Sequence, residues 1–156
     1  MLKIRIIVVG RTRSPFIREG ELFYLDRLRR YAHTEWEEVK PASIKKGRSD
    51  KIILAAESDS IARRILPRDY VIVLDRSGKA YESRELAESV QDLSLSNNRL
   101  SFIIGGPLGL SEKILQRAQA TLSLSRMTFT HEMSRLIFLE QLYRAFTIIR
   151  GEKYHK

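Results

Sequence analysis

The chain has 156 residues, 43% of them hydrophobic, and carries a formal net charge of +9 at pH 7. That length supplies enough apolar volume for one domain and too little for two ordinary ones. Cysteine is absent, which excludes disulfides, thiolate metal sites and cysteine nucleophiles. The excess of positive charge favours a polyanionic partner, although a solvated basic surface would have the same composition.

No apolar stretch approaches the roughly 20 residues that cross a bilayer, and the sequence begins directly with a strand-like pattern. We therefore expect a cytoplasmic protein with no membrane partner and no bound metal.

The first elements predicted are a strand over residues 2–9, a helix over 16–32 and a more exposed strand over 35–41. The first of these is a nearly continuous apolar run that ends before Gly10, which is typical of a parallel strand buried on both faces. Ser49 is placed to cap a second helix that runs to about Leu66, where Pro67 ends it.

The middle of the chain predicts a third strand over residues 70–75, a helix capped by Ser83 and a fourth strand over 100–104. Between the third strand and that helix, Gly78 ends an Asp-Arg-Ser-Gly run, and we expect it to adopt a positive φ in a turn. After the fourth strand, Ser111 is placed to cap the next helix.

The last elements predicted are a fifth strand over residues 121–125 and a long helix over 132–149. Strands and helices alternate throughout, which predicts an α/β fold with a mostly parallel sheet flanked by helices. By pattern alone, the sheet would have the flavodoxin-like order. The last helix is too apolar for one solvated face, so it is either a dimer contact or a central core helix.

Two irregular polar loops follow the fourth and fifth strands, at residues 105–109 and 125–130. We expect these strands to be adjacent, so that the loops meet at the carboxyl edge of the sheet, where nucleotide-like ligands bind in α/β proteins. Glycines in the first loop allow close approach of a ligand, although turns use the same residues. No Lys-Ser or Lys-Thr pair follows, so triphosphate binding is disfavoured.

Several segments also occur in a characteristic order and spacing. They are KIRIIVVG at 3–10, LDRSGK at 74–79, the glycine loop at 105–109, LSLSRMT at 122–128 followed by His131, EQLYRA at 140–145, and the terminal Tyr154-His155. Together they resemble the ribosomal large-subunit pseudouridine methyltransferases of the SPOUT class.

The resemblance implies an α/β-knot fold with a C-terminal trefoil knot, in a single domain over residues 1–156 that forms an obligate homodimer. It implies S-adenosyl-L-methionine as the cofactor. By the same resemblance, the cofactor pocket is lined by Leu74, Gly105, Gly106, Ser125, Arg126, Met127, Thr128, Phe129 and Thr130.

The activity implied is methylation of N3 of pseudouridine 1915 in helix 69 of 23S rRNA, with the assembled 70S ribosome as substrate. Three alternatives remain: a SPOUT enzyme that acts on tRNA, a non-catalytic basic protein that binds ribosomes, and a flavodoxin-like nucleotide-binding module.

Four residues are candidates for the chemistry. His131 and His155 are candidate proton handlers because histidine titrates near neutral pH, although a lone histidine is often structural. Arg144 would favour the anion of the target base or contact a phosphate, unless it forms a surface or dimer salt bridge. Tyr154 and His155 belong to a tail that would reach the target base, in the partner subunit's site if the tail crosses over, unless it is a frayed terminus.

Three positions depart from the family pattern. Family members more commonly carry an acidic residue where this chain has Leu108, a proline where it has Thr130, and an arginine where it has Lys156. Lysine keeps the charge but lacks the planar fork that pairs with phosphate.

Six basic residues fall in or beside predicted loops and are candidates for sequence-independent contacts with RNA phosphates, or for a solvated face. They are Arg11, Arg13, Arg18, Lys45, Lys46 and Arg48.

Overall fold

The computed structural model describes residues 1–43 and 47–156, and within them the chain forms five strands and five helices. The strands are β1 (Lys3–Val9), β2 (His33–Val39), β3 (Tyr70–Ala80), β4 (Arg99–Ile104) and β5 (Ala120–Ser123). The helices are α1 (Pro15–Leu28), α2 (Asp50–Ala62), α3 (Ser83–Ser96), α4 (Glu112–Arg117) and α5 (His131–Ile149). Lys45 and Lys46, two candidate RNA contacts, lie outside the described residues.

All strand pairs are parallel, and the sheet is buried on both faces. Successive side chains of β1 alternate between two cores: Ile6 and Val8 join the core beneath α1, α3 and α5, whereas Ile7 and Val9 join the core on the α2 and α4 side. The α/β class and the doubly buried first strand are therefore confirmed.

The strand order is β2-β1-β4-β3-β5, which corrects two expectations. It differs from the flavodoxin-like order, 2-1-3-4-5. In addition, β4 and β5 are not adjacent, because β3 lies between them. A buried apolar run shows that a strand is central but does not identify its neighbours, since any strand with the same pattern fits beside it.

Strand β3 continues through the predicted turn. It extends to Ala80, and its last residues pair with β5 after an irregularity between Leu74 and Lys79. Gly78 is absent from the positive-φ residues of the described chain, so that expectation was wrong. A Cβ at Gly78 would lie 2.6 Å from the backbone carbonyl of Thr121, so close approach of two strands is what requires glycine here.

The helix caps are confirmed at two of three positions. Ser49 and Ser111 each accept the amide proton of the residue three positions later, Ile52 and Ile114. Ser83 is not a cap but the first residue of α3, because Glu82 and Glu85 form a reciprocal capping box one residue earlier.

Both early helices end sooner than predicted, at Leu28 and Ala62. After α1 the chain tightens, and the amides of Tyr31 and Ala32 both donate to the carbonyl of Leu28. This turn buries both residues, so their apolar character comes from packing and not from a longer helix.

Helix α5 packs between α1 and α3 over β4. Within one subunit, this packing supports the interpretation of α5 as a central core helix. Every α5 residue is buried or half-buried. Among the described residues of α5, Met133 and Ile137 are half-buried and lie outside both core clusters. Across residues 1–43 and 47–156, none of the helices combines the length and apolar character that a membrane span requires.

Candidate active site

A cavity of about 320 Å³ opens at the carboxyl ends of β4 and β5, beside the middle of β3 and against the first turn of α5. Its wall is built from residues 74–76 of β3, the glycine loop after β4 and the loop before α5. The lining residues are Leu74, Asp75, Arg76, Ile104, Gly105, Gly106, Pro107, Leu108, Gly109, Leu110, Leu124, Ser125, Met127, Thr128, Phe129, His131 and Ser134.

The glycine loop is closed tightly on itself. The Gly109 amide donates to the Gly106 carbonyl at 2.9 Å, and Gly109 adopts a φ of +77°. A Cβ at Gly105 would lie 2.5 Å from the Gly109 carbonyl oxygen, whereas a Cβ at Gly106 would meet Val9 at 3.4 Å and Glu57 at 3.8 Å. Gly105 therefore allows the loop to fold back, which gives this wall of the cavity its shape.

The loop before α5 is held by its own polar side chains. The Ser125 hydroxyl accepts the Met127 amide proton at 3.0 Å, and Thr130 caps α5 by accepting the Met133 amide proton at 3.2 Å. From β3, Arg76 donates to the Thr128 hydroxyl at 2.9 Å. Hydrogen bonds thus fix the loop at both ends, and one bond joins it to β3 across the cavity wall.

Most of the residues expected around a cofactor line this cavity: Leu74, Gly105, Gly106, Ser125, Met127, Thr128 and Phe129. Arg126 and Thr130 lie outside the lining. The Arg126 side chain is exposed, and the Thr130 hydroxyl is engaged as the helix cap. The cap gives the Thr130 side chain a structural role at the start of α5.

Sequence reasoning missed several lining residues, notably Asp75, Arg76 and Ser134. The first two belong to the LDRSGK segment and were interpreted as turn residues but not as site residues, although they follow directly after the buried part of β3, where ligand contacts are common in parallel sheets. Ser134 could have been found from helix geometry, because residues three apart share a helix face, and His131 had already been singled out.

His131 is the one predicted proton handler that lines the cavity. Burial lowers its pKa, and the nearby positive charge of Arg135 lowers it further, against a smaller opposite effect of Glu132. The imidazole is therefore mainly neutral at pH 7 and has a free lone pair to accept a proton.

The other three candidates form a separate group at the far end of α5. Arg144 donates to Glu140 at 3.1 Å and contacts the His155 ring at 3.3 Å, and the Tyr154 hydroxyl donates to Glu140 at 3.0 Å. Arg144 also lies 4.7 Å from the centre of the Tyr154 ring. Ser134 is the last α5 residue that lines the cavity, and Arg144 lies ten positions further along the helix, a rise of about 15 Å, so the tail cluster lies outside the cavity of the same subunit.

Comparisons with known proteins cover almost the whole chain. A family model described as Predicted SPOUT methyltransferase matches residues 2–155. A relative from Thermotoga neapolitana, named ribosomal RNA large subunit methyltransferase H, is 44% identical over 154 residues, which cover 99% of each chain. A relative of the same name from Moorella thermoacetica is 45% identical over 160 residues and 100% of each chain.

A solved structure from Haemophilus influenzae, described as a probable methylase family protein, has the same fold. Its TM-score is 0.59, with 98% of this chain and 70% of that chain covered at 18% sequence identity. These matches span the three strands, the two loops and the helix that enclose the cavity.

Proposed function

We propose that this chain, which belongs to the SPOUT methyltransferase family, transfers a methyl group from S-adenosyl-L-methionine to N3 of pseudouridine 1915 in helix 69 of 23S rRNA. The substrate is the assembled 70S ribosome. The observation that carries the proposal is the cavity that brings together the LDRSGK segment, the glycine loop and the LSLSRMT loop. The family match over residues 2–155 supports one methyltransferase domain across residues 1–156, and the C-terminal trefoil knot remains part of the same proposal.

The residues present fit the cofactor. A cavity of about 320 Å³ lies within the range of small-molecule sites. Its wall combines half-buried apolar side chains, such as Leu74 and Leu124, with the polar groups of Ser125 and Thr128. A ligand with an aromatic base, a sugar and a charged end needs both kinds of surface. When bound, this cofactor supplies an electrophilic methyl group on a positively charged sulfur.

The protein's own contribution is orientation and proton handling. Alignment of two reactants in a cavity that excludes water supplies most of the rate acceleration expected for a direct methyl transfer. The N3 proton of the target base must leave, and the neutral His131 ring at the cavity wall is a suitable acceptor. Burial and, to a lesser extent, the nearby positive charge of Arg135 lower the His131 pKa and so favour the unprotonated imidazole at rest.

A homodimer would bring the tail cluster to a cavity. Arg144 lies about 15 Å along α5 from Ser134 at the cavity, and Arg144, Tyr154 and His155 do not line the cavity of their own subunit. Two-fold pairing through the face of α5 that carries the half-buried Met133 and Ile137 would set two copies of this helix against each other, so that one subunit's tail approaches its partner's cavity. We propose that Arg144 and the tail bind the target nucleotide there, with Glu140 holding them in position.

The proposal is tested by transfer of labelled methyl from S-adenosyl-L-methionine to unmodified 70S ribosomes, isolated large subunits and tRNA, followed by nucleoside analysis. We expect 3-methylpseudouridine from ribosomes alone. Label in tRNA would replace the substrate while keeping the enzyme class. No label with any RNA, from folded protein, would support the non-catalytic ribosome-binding alternative.

A further inference from the structure

The loop between β1 and α1, residues 10–14, is anchored to α5 by buried hydrogen bonds. The Thr12 hydroxyl donates to Glu21 at 2.6 Å and accepts from Arg135 at 3.0 Å. Arg135 also donates to the carbonyl of Val9 at 2.6 Å. Arg135 is 0% exposed, Thr12 5% and Glu21 4%. A buried charge held by several partners gives the loop a single position, because any displacement would leave polar groups unsatisfied.

A second anchor fixes the loop backbone. One carboxylate oxygen of Glu132 accepts the amide protons of Arg13 at 3.0 Å and Ser14 at 2.9 Å. At the other end, the Gly10 amide donates to the carbonyl of Val39 at 2.8 Å. With Thr12 held inward and the backbone fixed on both sides, the side chains of Arg11 and Arg13 are directed to solvent, and both are exposed.

The anchored loop borders the cavity. Glu132 and Arg135, which hold the loop, and His131 and Ser134, which line the cavity, belong to the same turn of α5. At about 100° per residue, the two pairs occupy adjacent faces of the helix. The strand before the loop also lies against the glycine loop, since a Cβ at Gly106 would meet Val9 at 3.4 Å.

Both outward arginines are free to bind an external anion. Among residues 1–43 and 47–156, neither Arg11 nor Arg13 takes part in any of the ion pairs found. By contrast, the buried guanidinium of Arg135 donates hydrogen bonds to the Thr12 hydroxyl and the Val9 carbonyl. Two unpaired guanidinium groups on a rigid loop beside the cofactor cavity match the phosphates that flank a target nucleotide presented at the mouth of that cavity.

We infer that residues 10–14 form a preformed docking loop for the RNA backbone, in which Arg11 and Arg13 bind phosphates next to the target nucleotide. Thr12, Glu21, Glu132 and Arg135 are its positioning residues. The inference rests on the proposed RNA substrate and selects these two residues from the wider set of basic candidates.

The test is the salt dependence of equilibrium binding to 70S ribosomes and to tRNA for the double variant Arg11→Gln/Arg13→Gln. The matched control, Arg63→Gln/Arg68→Gln, removes the same charge from exposed positions between α2 and β3. These positions lie at the amino-terminal ends of the strands, whereas the loop at residues 10–14 lies at the carboxyl ends. Loss of two phosphate contacts should reduce the slope of log affinity against log salt by about 1.4 to 1.8. The ratio of wild-type to variant affinity should therefore shrink about seven- to twelvefold between 50 and 200 mM salt.

A third variant, Thr12→Val, keeps both charges and removes the hydroxyl shared by Glu21 and Arg135. It should weaken RNA binding while leaving the salt slope within about 0.5 of wild type, because the number of phosphate contacts is kept. Affinity for S-adenosyl-L-methionine, measured by calorimetry, should be unchanged in the arginine double variant. An unchanged affinity would show that the cavity of this variant is intact.

The inference is overturned if the double variant has the same salt slope as the control, or if wild-type protein binds neither RNA. The proposed function fails separately, if wild-type protein binds ribosomes with the expected salt dependence but transfers no methyl group to them. Binding without turnover would thus retain the docking loop and reject the reaction.

Discussion

Replacing Gly105 by alanine should deform the cavity from within its own wall. The added Cβ would lie 2.5 Å from the Gly109 carbonyl oxygen and 2.6 Å from the Gly109 carbonyl carbon. Both neighbours are backbone atoms, so no side chain can rotate away, and the loop must open to relieve the contact. Gly106→Ala is a matched control in the same loop, because its Cβ would meet a Val9 methyl group at 3.4 Å, which needs little adjustment.

Overpacking of this kind costs about 1–3 kcal/mol. For a chain of this length, each kcal/mol lowers Tm by about 2–4 °C, so Gly105→Ala should lower Tm by roughly 2–12 °C. Opening the loop also displaces the cavity wall. We expect Gly105→Ala to lose about 1.4 kcal/mol in cofactor binding, which corresponds to a tenfold weaker Kd. Gly106→Ala should change stability by less than about 0.5 kcal/mol and Kd by about twofold at most.

Differential scanning calorimetry measures both Tm values, and isothermal titration with S-adenosyl-L-methionine measures both affinities. Near-UV circular dichroism confirms that each variant retains a packed core. Wild-type cofactor affinity in Gly105→Ala would refute the reasoning, because the tight glycine loop would then have no role in shaping the cavity. Equal losses in both alanine variants would also refute it, since only one of them has a backbone clash.

Three further predictions concern the dimer and two titrating groups. If the tail acts in the partner's cavity, mixing Gly105→Ala subunits with subunits lacking residues 154–156 should restore about 25% of wild-type methyl transfer after subunit exchange, at cofactor concentrations below the wild-type Kd, because half of the dimers then contain one intact composite site. No recovery, despite heterodimers seen by native mass spectrometry, would place the tail's action in its own subunit or nowhere. The neutral form of His131 is the proposed proton acceptor and burial lowers its pKa, so kcat should fall only as pH drops below 6.5, and His131→Asn should lower kcat and lack this limb. A wild-type limb retained in the variant would assign the titration to another group. Burial raises the pKa of Glu21 above 4.5, so the folded state binds more protons than the unfolded state above that pH, and stability should fall as pH rises from 4.5 through the raised pKa. Urea titrations should show a flatter profile for Glu21→Gln, and an identical slope in both proteins would contradict the assignment.

Local signals in the sequence predicted the elements well where one residue type had one physical explanation. Ser49 and Ser111 cap helices because a serine before a helical pattern satisfies an amide that would otherwise be free. At Gly78 and Ser83 the same kind of signal failed. Glycine suits a turn and also a close strand contact, and Glu82 with Glu85 formed a better cap than the serine beside them.

The pattern of charged residues in the sequence was less informative about the roles of individual arginines than the positions of those arginines in the fold. The sequence places Arg11 and Arg13 among six basic residues in or beside predicted loops, and Arg135 within the last predicted helix, without showing which of these side chains are buried. In the structure, Arg135 is fully buried and anchors a loop, whereas Arg11 and Arg13 are exposed on that loop. Which arginine meets solvent depends on contacts between residues more than 100 positions apart, and no local pattern records those contacts.

The amino-acid sequence alone determined the α/β class, the doubly buried central strands and the two loops that enclose the cavity, because apolar runs, capping residues and glycines act over a few neighbouring residues. Only the tertiary structure decided that β3 separates β4 from β5, that Asp75 and Arg76 reach the cavity, and that the tail cluster does not line the cavity of its own subunit. These features depend on which strands pair and on the length and placement of α5, and buried parallel strands with similar apolar runs leave that choice to long-range packing.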